Sequence, residues 1–183
     1  MSKYKFIELT DEQFFDFVET QDQKHFMQTT YMKEYYKLKG KETYIIGVES
    51  DKKVIAAGLI YLESMYRQYK KFAIYKGFIM DYKNKELLEF ITNKTYEFLK
   101  EKNAYVFTID PNIIQVERDT EANIIENAKD NYDVIESLKQ IGYFKSDTNI
   151  QIKWTYVLDI NNQTSEEIFK TFKQNFLDHN STS

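Results

Sequence analysis

The sequence contains no cysteine, a single proline (Pro111), a single tryptophan (Trp154) and two histidines, His25 and His179, among 183 residues. The lack of cysteine rules out disulfides, thiol nucleophiles and thiolate zinc sites. Two histidines are too few for a histidine-rich metal centre. Glycine is sparse too, at positions 40, 47, 58, 77 and 142, and no Gly-x-Gly occurs. A glycine turn at a helix N-terminus is what lets backbone N–H groups hold a pyrophosphate. Its absence argues against acetyl-CoA as a cofactor and against a Walker-type phosphate loop. No apolar run reaches the ~20 residues needed to cross a bilayer, and Met1–Lys5 leads into a strand pattern rather than a signal peptide. A cytoplasmic location is the simplest expectation. The net charge is −4, so a broad polycationic surface is excluded and any contact with RNA would be local.

What the sequence has in abundance is large aromatic side chains, 15 Tyr and 14 Phe. Most should be core or half-buried strand residues, with the tyrosines bringing a polar tip. The length and the 42% apolar content suit one domain with a real core plus a small appendage.

Patterning predicts the elements in order. Residues 4–9 read as a strand. Thr10 and Gln13 form a capping box ahead of Phe14, Phe17 and Val18 at helical spacing. A second helix covers 30–38 and stops at Gly40. A hairpin follows, with strands at 43–48 and 54–62 around a turn at 50–52. A basic segment, 67–71, leads into a strand at 72–75. The helix opening near Asn84 carries Leu87, Phe90, Ile91 and Phe98 on one face. The apolar run 104–109 suits a buried strand that ends at Asp110-Pro111. Residues 117–131 are a loop or irregular helix. Val134, Ile135 and Leu138 mark a short helix closed by Gly142. One or two strands are expected over 150–160, and a second capping box at Thr164–Glu167 opens a further helix. The fold class implied is α/β (α+β): a GNAT-like, acyl-CoA N-acyltransferase-like mixed sheet, largely antiparallel and flanked by helices.

Four segments, in this order and spacing, carry a family resemblance. They are Lys5-Phe6-Ile7-Glu8-Leu9-Thr10 with His25-Phe26-Met27-Gln28-Thr29-Thr30; Val54-Ile55-Ala56-Ala57-Gly58-Leu59; Tyr75-Lys76-Gly77-Phe78-Ile79-Met80-Asp81-Tyr82; and Thr108-Ile109-Asp110-Pro111 with the later Tyr156–Ile160 and Thr164–Glu167. Together they resemble the FemABX family of peptidoglycan interpeptide-bridge aminoacyltransferases, and within it the FemA-like branch of methicillin resistance factors. The resemblance spans about residues 5–174. Family members generally carry two GNAT-like domains, so it implies domain one over 1–153, the strand and helix that begin domain two over 154–175, and a loose tail over 176–183. The resemblance thus implies a truncated or partial form of such a protein.

The resemblance implies transfer of an amino acid from aminoacyl-tRNA, the donor substrate, to the peptide of a muramyl peptide precursor, with no further cofactor. It assigns Asp110 to the reacting amine, as an orienting group or proton acceptor, and Tyr105 to substrate binding. The competing readings are a turn-forming aspartate before Pro111 and a half-buried strand tyrosine. Strand residues five apart point to opposite faces unless the strand bends. Where the family places a phosphate-pairing lysine, eight residues past Gln28, this chain has Tyr36, and Lys37 is the nearest candidate; a solvated helix lysine is the bland alternative. Lys76-Gly77-Phe78 stands where many members have Arg-Gly-Pro, which makes Lys76 a substrate-binding candidate that keeps the charge and loses the guanidinium fork. A non-catalytic remnant that binds precursor or a partner is the alternative function, and a small-molecule acetyltransferase is a third. A homodimer is left open by the apolar face expected between Trp154 and Phe172.

Overall fold

The structure is a computed structural model that describes residues 3–119, 121–128, 130–147, 155, 158 and 160–170. Nine elements run β1 (Lys5–Glu8), α1 (Asp11–Glu19), α2 (Thr30–Leu38), β2 (Thr43–Ser50), β3 (Lys53–Tyr66), β4 (Tyr69–Tyr75), α3 (Lys85–Lys100), β5 (Ala104–Asp110) and α4 (Tyr132–Gln140). The chain divides into two units, residues 1–145 and 146–183. All nine elements belong to the first. In the second, residues 165–170 are helical, and Thr164 caps them as expected: Glu167 N–H donates to Thr164 Oγ1, and Glu167 Oε2 accepts from the Thr164 N–H at 2.7 Å. The strands expected over 150–160 lie mostly outside the described residues.

The first unit is built on a five-stranded sheet in the order β1-β2-β3-β4-β5. β1 to β4 pair antiparallel, β1 and β2 across α1 and α2 and the others as hairpins, and β4 and β5 pair parallel across the α3 crossover. The mixed, largely antiparallel sheet expected from the pattern is present. Its two faces carry separate cores. On one, α3 lays Leu87, Leu88, Ile91 and Leu99 on Ile46, Ile60, Phe72 and Ile74. On the other, α1 and α2 bring Phe14, Phe17, Val18 and Tyr36 onto Leu59, Tyr61, Ala73 and Tyr75. Each fully buried side chain of this size contributes roughly 1.5–3 kcal/mol.

Local signals explain where the helices begin. Thr10 accepts from Gln13 N–H while the Gln13 side chain accepts from Thr10 N–H, closing the capping box. Thr29 and Asn84 cap α2 and α3 without the reciprocal bond, accepting from Met32 N–H and Leu87 N–H. The described residues of 117–131 form no helix or named strand and are tied by the bridges Val116↔Asp130 and Arg118↔Ile124.

Two strands run longer than the pattern indicates. β3 continues to Tyr66 and β4 begins at Tyr69, so the basic segment 67–71 is not a connector. Only Arg67 and Gln68 turn between them. The physical reason is a bulge: Leu62 faces Phe72 while Ser64 faces Lys71, leaving Glu63 as an extra residue. The bulge breaks the alternation by which a strand is recognised.

The sheet has one internal gap. β3 pairs with β4 as far as Tyr61↔Ala73, then meets the chain again only at Ala57↔Ile79. Leu59, midway, is paired with Ile45 of β2 but would be left without a partner on the β4 side. The fully buried side-chain amide of Gln28 takes that place. Its Oε1 accepts from Leu59 N–H at 2.7 Å, and its Nε2 donates to Tyr75 C=O at 2.7 Å and towards Leu59 C=O at 3.4 Å. A side-chain amide thus substitutes for a peptide unit. Gln28→Leu keeps the bulk and orphans Leu59 N–H and Tyr75 C=O, so it should lower unfolding free energy by roughly 2–4 kcal/mol in urea titration. A loss below about 0.5 kcal/mol would mean that the amide does not carry the gap.

Candidate functional site

The gap sets the path of the chain that leaves β4. Tyr75 is the last strand residue, and Lys76 adopts a left-handed backbone, φ 58°. A non-glycine residue there is uncommon and costs energy that its surroundings must repay. Gly77 follows under the Gln28 amide; a Cβ on it would lie 3.0 Å from Gln28 Cδ and 3.0 Å from Ile74 Cγ1. Gly77 also bridges Asp110, and Tyr75 faces Asp110 across the parallel ladder. The ends of β4 and β5 and the loop carrying Gln28 are therefore locked together. Asn112 adds a further tie, donating from Nδ2 to Gln23 C=O at 3.2 Å.

This arrangement brings Lys76 and Asp110 into contact. Lys76 Nζ lies 2.9 Å from Asp110 Oδ2, an ion pair without hydrogen-bond geometry, and both side chains keep some exposure. His25 is the third member. Its Nδ1 accepts from Met27 N–H at 3.2 Å, which leaves the proton of the neutral ring on Nε2. Partial burial, and then the positive charge of Lys76, lower the His25 pKa below its ordinary value; the charge of Asp110 opposes both. Tyr82, wholly buried, also lies within reach of the Asp110 charge. Burial first, and then Tyr143 and Asp110, hold its phenol protonated far above the usual range. The site thus offers a carboxylate, an ammonium and a neutral imidazole at the end of the β4–β5 ladder. It can take a cationic or N–H-bearing group on Asp110 and an anionic group on Lys76.

The other two sequence candidates lie elsewhere. Tyr105 is exposed at the start of β5 and meets Tyr69 edge to face at 6.4 Å. The strand is irregular there: Ala104 faces Lys70 and Val106 faces Lys71, so Tyr105 is an extra residue. The bend that could reconcile Tyr105 with Asp110 is at the beginning of the strand rather than its end. Lys37 is exposed on α2 and paired with Glu34 at 3.5 Å. Its neighbour Tyr36 is buried and stacked on Tyr61, ring centroids 4.0 Å apart. Phe78 is buried against Phe107 in the α3-side core. A hollow of about 580 Å³ between α3 and α4, lined by Lys85, Leu88, Asn93 and Ser137, contains none of these residues. Among the described residues no group of three or more His, Asp or Glu side chains is placed to hold a metal.

Sequence reasoning did not single out His25 or Gln28 as site residues. Nothing in a lone glutamine announces that it will be buried as a strand surrogate. The one available signal was that both sit in a segment that resembles a family block.

The electrostatics are testable because the chain has only two histidines. In ¹H–¹⁵N NMR, His25 should titrate below the ordinary imidazole value. Lys76→Ala should raise its pKa by removing a like charge, and Asp110→Asn should lower it further. A folded pKa below the unfolded one means that the unfolded chain binds the proton more tightly, so stability should fall as pH drops through the imidazole range. His25→Gln should flatten that fall. Opposite signs for the two substitutions would break the assignment of the three residues to one site.

The sequence pattern of the FemAB family matches residues 9–177. Aminoacyltransferase FemA of Staphylococcus epidermidis is 32% identical over 175 residues, covering 91% of this chain and 41% of that protein. The FemA of Staphylococcus aureus (strain bovine RF122 / ET3-1) is 29% identical over 172 residues with the same coverage. The chain therefore spans about two fifths of the length of these curated relatives. Among solved structures, FemX superposes with a TM-score of 0.61 at 26% identity, over 75% of this chain and 31% of that one. An acetyltransferase of Trypanosoma brucei superposes at 0.54 with 7% identity, over 82% of this chain and 99% of that one, a likeness of fold alone. The fold is of the GNAT type, and the chain belongs to the FemAB family.

Proposed function

We propose that this chain forms the acceptor-binding domain of an aminoacyltransferase that extends the peptide of a cell-wall precursor, with aminoacyl-tRNA as donor and no other cofactor. The observation that carries the reading is the Lys76–Asp110 pair beside His25 at the end of the β4–β5 ladder, in a chain of the FemAB family. The reaction is attack by a precursor amine on the ester carbonyl of the charged tRNA. The amine nitrogen forms the new amide bond, the ester C–O bond to the tRNA ribose breaks, and the amine proton must leave. Such chemistry needs positioning and proton removal, with no covalent intermediate on the protein. In this reading Asp110 holds the amine through its N–H groups and receives or relays its proton, and Lys76 fixes the carboxylate. The imidazole of His25, with Nδ1 already accepting from Met27, offers Nε2–H as a donor to an anionic part of the ligand. Contact with tRNA belongs to parts of such an enzyme other than this sheet end.

A binding role without turnover is the second reading. It draws on Tyr36, which stands where the resemblance implies a phosphate-pairing lysine and is instead buried on Tyr61. The acetyltransferase reading is the weakest, given that no Gly-x-Gly loop occurs in the chain.

Calorimetry with a UDP-linked muramyl pentapeptide tests the reading on the chain itself. Binding is expected, and Asp110→Asn should weaken it about tenfold or more, the value of a charge-assisted hydrogen bond. Transfer from glycyl-, alanyl- or seryl-tRNA, measured on the full product of the gene, separates the two readings: turnover supports the enzyme, binding without it the remnant. An absence of binding even at millimolar precursor would sink both.

A further inference from the structure

The sheet face that carries Asp110 holds a second lysine–carboxylate pair. In the parallel ladder Lys71 faces Val106, Ala73 faces Thr108 and Tyr75 faces Asp110. Side chains alternate along a strand, so these six residues share one face. Ala73 and Tyr75 belong to the core on the α1–α2 side, which identifies that face. α1 and α2 pack chiefly on β3 and β2. Val106, Thr108 and Asp110 keep partial exposure beyond them.

Lys71 Nζ lies 2.9 Å from Glu63 Oε2, with both side chains about a quarter exposed. Glu63 is the bulge residue of β3, and the bulge aims its carboxylate at β4. Its other oxygen accepts from Tyr75 Oη at 2.9 Å. Burial and the Glu63 charge both favour the protonated Tyr75 phenol, so it stays a donor. Glu63 Oε1 is thus satisfied by Tyr75, while Oε2 meets Lys71 as an ion pair without hydrogen-bond geometry, so the three donors of the Lys71 ammonium are not used up. Asp110 has no counterpart of the Tyr75 hydroxyl: its carboxylate meets the Lys76 ammonium and keeps acceptor capacity. Asp110 thus has acceptors to spare at one end of this face, and Lys71 has donors to spare at the other. Four residues of β4 separate Lys71 from Tyr75, about 13 Å of strand.

We propose that Lys71, held in place by Glu63 and Tyr75, is a carboxylate anchor, so that this sheet face takes an extended peptide with an amine at Asp110 and a free carboxylate about 13 Å away at Lys71. This rests on the peptide-binding reading above and adds to it the direction in which the peptide lies. The amine end sits at the C-terminal end of β4 and the carboxylate end near its start. Lys71 is a binding residue, and Glu63 and Tyr75 are positioning residues that act through it.

The test pairs a ligand change with a protein change, so that effects on folding cancel. Affinity is measured by calorimetry for a UDP-muramyl pentapeptide with a free C-terminal carboxylate and for the same compound with a C-terminal carboxamide. Wild type should prefer the acid by about tenfold, the value of one charge-assisted contact. Lys71→Met should bind both forms equally, at the level of wild type with the amide. Lys71→Arg, which keeps the charge, should retain the preference. If wild type binds acid and amide alike, or if Lys71→Met keeps the wild-type preference, the anchor is overturned while binding that depends on Asp110 leaves the peptide reading standing. If neither compound binds wild type, the peptide reading fails and the anchor fails with it.

Discussion

One side-chain amide decides how this sheet is put together. Between Tyr61↔Ala73 and Ala57↔Ile79, β3 has no strand on its β4 side, and Gln28 fills the vacancy with the hydrogen-bonding pattern of a peptide group. Buried backbone groups must be paired, so the chain can leave β4 at Tyr75 only because Gln28 is there. Everything that follows depends on this exit. Lys76 turns through a left-handed conformation, and Gly77 passes beneath the amide, where a Cβ would press on Gln28 and Ile74. Phe78 and Ile79 then re-enter the two cores on opposite faces.

The same amide couples the loop before α2 to the sheet. Gln28 and His25 lie three residues apart, so fixing one places the other near Lys76 and Asp110. The site is therefore a by-product of how a gap in β-pairing is repaired. Its charges come from different elements: Asp110 from the end of β5, Lys76 from the turn after β4, His25 from the loop ahead of α2. The parallel register of β4 and β5 joins this end to the second pair, Glu63 and Lys71, by placing residues 71, 73 and 75 beside 106, 108 and 110. Two bulges shape the face, one aiming Glu63 across to β4 and one displacing Tyr105 from the ladder. Family membership and geometry bear on different questions. The first says what kind of chemistry to look for, and the second says which groups share this sheet face.

Much of the fold was legible because its signals are local. Capping by Thr10, Asn84 and Thr164, the apolar stripe of α3 and the β2–β3 hairpin each depend on residues within a few positions of one another. The missing parts depend on distant partners. The far half of β3 was hidden because Glu63 breaks the alternation, and its pairing with β4 is decided by the opposite strand. Gln28 looked like an ordinary polar residue because its partners are about thirty and nearly fifty positions away. Asp110 and Lys76 came into view separately, through resemblance. That they touch follows only from the parallel register and the Gly77 bridge, neither of which leaves a trace in spacing. Tyr36 is the instructive case. Its neighbour Lys37 suggested a charge for the site, whereas packing on Tyr61 makes this turn of α2 part of the core and leaves Lys37 beside Glu34.

The central claim is that the end of the β4–β5 ladder receives the amine of a precursor peptide. It is tested most directly by following the imidazole signals of His25 while a muramyl pentapeptide is added, once with its acceptor amine free and once with that amine acetylated. The account predicts that the free amine shifts the His25 signals to saturation and that the acetylated compound moves them far less at equal concentration. A His25 signal that stays still while the free-amine compound binds, or that responds equally to both, would contradict it.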